Sequence, residues 1–298
     1  MSHVILFSNW REIYMKNVAW IGTGVMGKPM ALHLADAGYE VSAYNRTFEK
    51  AKAMEPKVKA FESIEEAVKN ADIVFTIVGY PKDVESVYEE IMKHAKKGAI
   101  LVDMTTSSPS LAVSLAKKAH EMDYEILDAP VTGGDLGAIN GTLSIMVGGK
   151  KDIYDEVCPL LEVMGKTINY MGKNGNGQHA KLANQAAIAG AISATAEALH
   201  YANYHEIDMN TMLDVIVGGS ASSWQAANNG PKMIRKDYAP GFFVKHFLKD
   251  LKLILDEKGP LYLPVVENVT KMYQVLSDNG YSEDGTQAII EYYLQELK

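Results

Sequence analysis

Short apolar runs alternate with longer amphipathic stretches through the first half of the chain. Val18–Ile21, Val41–Tyr44, Ile73–Val78, Ile100–Val102 and Ile126–Asp128 read as buried strands. Between them, Met26–Ala37, Ser63–Asn70 and Pro109–His120 have the length and spacing of helices. This β-α-β rhythm predicts an α/β domain, a doubly wound and mostly parallel sheet with helices on both faces. Leu143–Val147 and Thr167–Tyr170 predict additional strands, separated by a helix over Lys151–Met164.

After Tyr170 the strand pattern stops. Gly175-Asn176-Gly177 breaks the chain, and Gln178–Tyr204 then runs as one alanine-rich, proline-free pattern. About 27 residues at roughly 1.5 Å rise each make a helix some 40 Å long. Turn signals at Gly218-Gly219, Gly230-Pro231, Gly241, Gly259-Pro260 and Gly280 bound further helices. The expected organisation is an N-terminal extension over 1–16 and an α/β domain over 17–177. A long interdomain helix over 178–204 and an all-helical C-terminal domain over 205–298 follow.

Composition narrows the function. The 298 residues are 47% hydrophobic and 22% charged, which is a globular balance. A net charge of −8 argues against a nucleic-acid surface, which needs a basic face. No apolar run approaches the roughly 18 residues of a membrane span, and the opening segment has no secretory-signal pattern. The single cysteine, Cys158, lies in an apolar helical stretch and reads as packing rather than as a nucleophile. With no disulfide to form, the chain is expected in the reducing cytoplasm. No metal is called for.

Gly22, Gly24 and Gly27 stand in G-x-G-x-x-G spacing directly after the first strand, in "IGTGVMG". A first glycine makes the tight turn, a second lets the backbone approach a pyrophosphate, and a third lets helix pack on strand. The helix that follows offers unpaired N–H groups to phosphates. With a second strand about 20 residues on, this is the dinucleotide-binding arrangement of a Rossmann-type domain. Gly22, Thr23, Gly24, Val25, Met26 and Gly27 are the expected cofactor turn. At the end of the second strand stand Asn45, Arg46 and Thr47. An arginine where NAD-specific sites carry an acid favours a 2′-phosphate, so NADP is expected, with NAD as the alternative.

Two more stretches carry chemistry. "DAPVTGGDLG" puts Thr132, Gly133 and Gly134 in a turn directly after a strand, where successive backbone N–H groups can cradle a carboxylate. "GNGQHAKLANQ" puts Lys181, Asn184 and Gln185 at helical spacings of three and four, on one helix face. A further helix carries Lys249-Asp250, although Lys245, Lys249, Lys252 and Asp256 also make an ordinary surface stripe.

Taken together, these motifs resemble the β-hydroxyacid dehydrogenases, which include 3-hydroxyisobutyrate dehydrogenase, tartronate semialdehyde reductase and glyoxylate/succinic semialdehyde reductases. The resemblance runs from about Asn17 to the C-terminus. It rests on Gly22–Met30, Asp128–Thr142, Gly175–Gln185 and Lys249-Asp250-Leu251, with Thr106 in "DMTTSSP" matching the loop at the nicotinamide ribose. It implies reversible oxidation of a β-hydroxyacid to its semialdehyde, with Lys181 as general acid and base. Thr132, Gly133, Gly134 and Asn184 are implied to hold a small carboxylate substrate, and Lys249 the cofactor. Trp224 and Phe242 are candidates for the pocket wall, or else helical core. A homodimer or homotetramer is implied. There are departures: threonine stands at 132 where serine is commoner, Asn140 replaces a small or acidic residue, and "VGYPKDV" replaces a leucine-proline pattern. An imine reductase would share the architecture but generally lacks the lysine. A redox sensor that binds NAD(P) without turnover would not need the lysine and the carboxylate cradle that this chain retains.

Overall fold

The computed structural model describes residues 17–294. The expected extension over 1–16 lies outside the described residues. Two compact units divide between Gln178 and His179.

The first unit is built on β1 (Asn17–Ile21), β2 (Glu40–Tyr44), β3 (Lys59–Phe61), β4 (Ile73–Thr76), β5 (Ile100–Asp103), β6 (Glu125–Asp128), β7 (Val131–Thr132), β8 (Leu143–Gly148) and β9 (Gly165–Gly172). Their order is β3-β2-β1-β4-β5-β6-β8-β7, with β9 on β8. Pairing is parallel from β3 through β6, and β8 runs antiparallel to both β6 and β7. The order reverses at β1, between β2 and β4, which is the switch point where open α/β sheets bind ligands. Helices α1 (Gly27–Asp36), α2 (Phe48–Lys52), α3 (Ile64–Val68), α4 (Pro81–His94), α5 (Pro109–Glu121), α6 (Gly134–Ile139) and α7 (Lys151–Leu161) connect the strands.

Alternate strand residues feed two cores, because successive side chains point to opposite faces. Val18 and Trp20 pack with Met30, Leu34 and Leu161 on one face. Ala19 and Ile21 pack with Val74, Tyr88 and Leu115 on the other. This explains why the sequence shows apolar runs rather than alternation.

The long helix is α8 (Asn176–Tyr204), and from His179 on it belongs to the second unit. That unit continues with α9 (Met209–Gly218), α10 (Trp224–Ile234), α11 (Val244–Glu257), α12 (Pro264–Leu276) and α13 (Ile289–Leu294). Its core joins Ile192 and Leu199 of α8 to Phe247 and Leu251 of α11 and Tyr273 of α12. Among the described residues no helix is long and apolar enough to cross a membrane.

Candidate active site

In the first unit the glycine turn is fastened from three sides. Gly22 N–H donates to the Tyr44 carbonyl at 2.9 Å, the Gly22 carbonyl accepts from Trp20 Nε1 at 2.9 Å, and Thr23 N–H donates to Asn45 Oδ1 at 3.0 Å. Gly22 holds a φ of +99°, which a side chain would strain. A Cβ on Gly27 would collide with the Gly22 carbonyl and the Trp20 indole nitrogen, whereas one on Gly24 would meet no protein atom within 4 Å. The first and third glycines thus build the turn, and the second leaves its outer side open. Val25 is exposed on that side, whereas Met26 is half-buried against the core. A groove of about 600 Å³ flanks the turn, lined by Thr23, Gly24, Val25, Lys28, Leu32 and Lys50 among others.

Asn45 also donates from Nδ2 to the Thr47 carbonyl at 3.0 Å, so it links the turn to the end of β2. Arg46 projects into solvent with its side chain 90% exposed, 3.9 Å from Asp83 at its nearest. On the loop after β5, Thr106 is half-buried between Thr105 and Ser107, which are both buried. Thr23 Oγ1 and Ser107 Oγ are buried hydroxyls with no hydrogen-bond partner among the described residues. Both lie beyond the carboxyl ends of parallel strands. Buried hydroxyls are normally paired, so these two fit a ligand rich in oxygen and nitrogen, as a nicotinamide dinucleotide is.

Thr132 ends β7, and Gly133 (φ +132°) and Gly134 (φ +66°) open α6. The glycine pair, expected as a turn, therefore starts a short helix. That helix is tied back to the cofactor turn's own helix. His33 of α1 lies 3.0 Å, through Nε2, from both the Ala138 and the Ile139 carbonyls. Carbonyls only accept, so Nε2 carries the hydrogen. Sequence reading missed His33, because nothing in its own neighbourhood points to a segment more than a hundred residues away.

Two buried carboxylates organise the adjoining loops. Asp103 Oδ1 accepts from Thr76 Oγ1 and Thr105 N–H, both at 3.0 Å. Asp128 accepts from Gly175 N–H at 2.8 Å and Gln178 N–H at 2.9 Å. Burial pushes each up to about 6, and these hydrogen bonds pull the other way. Gln178 in turn accepts from Ser107 N–H at 2.9 Å and donates to the Thr105 carbonyl at 2.7 Å. A Cβ on Gly177 would strike the carbonyls of Asp128 and Met146, so only glycine lets the chain approach here. Gln178 was legible only as a residue at a helix start.

In the second unit Lys181 is 6% exposed. Its Nζ donates to Gln185 Oε1 at 3.0 Å, and Asn184 Nδ2 donates to the same oxygen at 3.2 Å. The three residues that helical spacing placed on one face do meet. Burial brings the Lys181 ammonium down to about 8; the Asp250 carboxylate opposes this and Lys249 adds to it. Lys249 Nζ stands 3.1 Å from Asp250 Oδ1. The two aromatic candidates separate. Trp224 begins α10 and is 64% exposed, whereas Phe242 is half-buried against the helical core, its ring 6.0 Å from that of Phe247.

Residues 17–172 match the NAD binding domain of 6-phosphogluconate dehydrogenase, and residues 175–293 match the NAD-binding domain of NADP-dependent 3-hydroxyisobutyrate dehydrogenase. An uncharacterized oxidoreductase of Bacillus subtilis (strain 168) is 42% identical over 94% of this chain and 99% of its own length. The probable 3-hydroxyisobutyrate dehydrogenase-like 1, mitochondrial, of Arabidopsis thaliana is 42% identical over 92% of this chain and 84% of its own. Among solved structures, Mycobacterium tuberculosis 3-hydroxyisobutyrate dehydrogenase with L-serine is similar at a TM-score of 0.87 and 29% identity, covering 93% of this chain and 99% of that one.

Proposed function

The chain belongs to the NAD(P)-dependent β-hydroxyacid dehydrogenases, enzymes that act on CH–OH groups, and from that premise we propose that it interconverts a small β-hydroxyacid and its semialdehyde with Lys181 as proton donor and acceptor. The observation that carries this reading is the burial of Lys181, which brings its amine to about 8. A general base works best when its pKa lies near the operating pH, and an ordinary lysine at 10.5 is almost never neutral there.

When bound, the nicotinamide cofactor accepts or supplies the hydride. Gly22 to Gly27 hold its phosphates, Asn45, Arg46 and Thr47 its adenosine ribose, and Thr106 and Lys249 its nicotinamide end. The exposed Arg46 guanidinium supports NADP over NAD, since it suits a 2′-phosphate. Thr132, Gly133 and Gly134 hold the substrate carboxylate, and Asn184 orients the reacting oxygen. In the oxidative direction the neutral Lys181 amine takes the hydroxyl proton; in reduction the ammonium returns it. Trp224 and Phe242 shape the wall around the substrate's variable group. We further infer a cytoplasmic homodimer or homotetramer with no nucleic-acid or membrane partner. The exposed Tyr201, Tyr204, Leu261, Tyr262 and Val265 on the helical unit support self-association.

The test is turnover on semialdehydes, glyoxylate, serine and 3-hydroxyisobutyrate with each cofactor, in the parent and in Lys181→Ala. Turnover on one small hydroxyacid should fall by about 10²–10⁴-fold in the variant. Near-parental turnover in a folded Lys181→Ala would refute the lysine mechanism.

A further inference from the structure

A buried glutamine amide has a donor end and an acceptor end of nearly the same shape, so its neighbours decide which way it faces. Gln185 is fully buried, and its neighbours agree on one answer. Its Nε2 donates to Asp250 Oδ2 at 2.6 Å. An ionised carboxylate can only accept, so the NH₂ group is committed to α11. Oε1 is thereby turned to Lys181 Nζ at 3.0 Å and Asn184 Nδ2 at 3.2 Å, both donors. Lys181 and Asp250 thus communicate through one amide, across 65 positions of sequence between Gln185 and Asp250.

We propose that Gln185 is a positioning residue for Lys181, and that Asp250, by fixing the direction of the Gln185 amide, holds an acceptor against the lysine nitrogen and so sets the pH at which Lys181 changes from proton donor to proton acceptor. The inference rests on the reading of Lys181 as the proton-transfer group. The reason lies in which protonation state each orientation favours. An ammonium needs acceptors, and Oε1 is one. A reversed amide would bring its NH₂ group to Lys181, where only the lone pair of the neutral amine could receive it. Among the described residues, the charged groups that act on Lys181 are both on α11: Asp250, which favours the ammonium, and Lys249, which disfavours it. Removing the Asp250 charge and freeing the amide to reverse therefore push in the same direction.

Asp250→Asn does both, because asparagine can present either an oxygen or an NH₂ group to Gln185. Two titrations read the effect. One is the pH–rate profile of the oxidative reaction. The other is the titration of the Lys181 ε-carbon resonance in ¹³C-lysine-labelled protein without cofactor, assigned by its loss in Lys181→Ala. In Asp250→Asn both midpoints should fall by about one pH unit. In the double variant Gln185→Glu/Asp250→Asn, the new asparagine can donate to the new carboxylate, whose other oxygen again faces Lys181. There both midpoints should rise above the parent's. Unchanged midpoints in Asp250→Asn overturn the proposal. Should that variant fail to fold, a double variant whose resonance midpoint does not exceed the parent's overturns it equally. A rate limb that survives Lys181→Ala counts against the assignment of Lys181 instead, and the proposal then stands or falls on the resonance.

Discussion

Replacing Lys181 by methionine should inactivate the enzyme and, at neutral pH, make it more stable. An amine at about 8 is neutral in about one molecule in ten at pH 7, against about one in three thousand at the ordinary 10.5. The gain in usable base is therefore about 300-fold at pH 7. It has a thermodynamic counterpart. The folded-state value lies below the unfolded one, so between pH 8 and 10.5 the unfolded chain binds more protons, and stability rises with pH across that window. Below pH 8 the buried ammonium costs about 3 kcal/mol. Methionine fills similar volume without the charge. Gln185 Oε1 keeps Asn184 Nδ2 as a donor, so only the Lys181 hydrogen bond, worth about 1 kcal/mol, is lost. A net gain of about 2 kcal/mol should raise Tm by roughly 4–8 °C at pH 7. Thermal melts of parent and Lys181→Met at pH 7, 8 and 9, run beside turnover assays, check both halves. The advantage of the variant should shrink at each step upward in pH. A variant less stable than the parent at pH 7, or an advantage indifferent to pH, would show that Lys181 is not held as a costly ammonium.

Other consequences can be measured separately. Gly24→Val should leave the melt nearly unchanged and abolish cofactor binding by fluorescence titration, since no protein atom lies within 4 Å of its Cβ position; Gly27→Ala should instead unfold the turn and lower Tm, because its Cβ collides with the Gly22 carbonyl. Tight cofactor binding by Gly24→Val would remove the turn from the site. Arg46→Asp should exchange NADP preference for NAD in paired affinity measurements, because a carboxylate repels a 2′-phosphate and can accept from a 2′-hydroxyl; a parent that binds NAD as tightly as NADP contradicts this. His33→Ala should cost about 1 kcal/mol and raise KM for substrate more than it lowers kcat, since it frees the helix that starts at Gly134. An unchanged KM would show that this tie does not reach the substrate.

The sequence determined the class of fold, the cofactor turn and the composition of the lysine cluster. These are local matters. Apolar runs marked β1, β2, β4, β5 and β6 because a strand covered on both faces has no polar side. The helical period set Lys181, Asn184 and Gln185 on one face whatever surrounds them, and a proline-free alanine-rich stretch fixed α8 to within two residues of its start. Lys59–Phe61 escaped because three residues are too few to show a period, and α6 escaped because Gly133 and Gly134 read as a turn. The tertiary structure decided what depends on distant partners and on the removal of water. It joined His33 to Ala138 and Ile139, Asp128 to Gly175 and Gln178, and Gln185 to Asp250. It exposed Trp224 and turned Phe242 toward the helical core. It also altered Lys181 itself, because a lysine's proton affinity follows from its burial and neighbouring charges, and neither is written in the residues beside it.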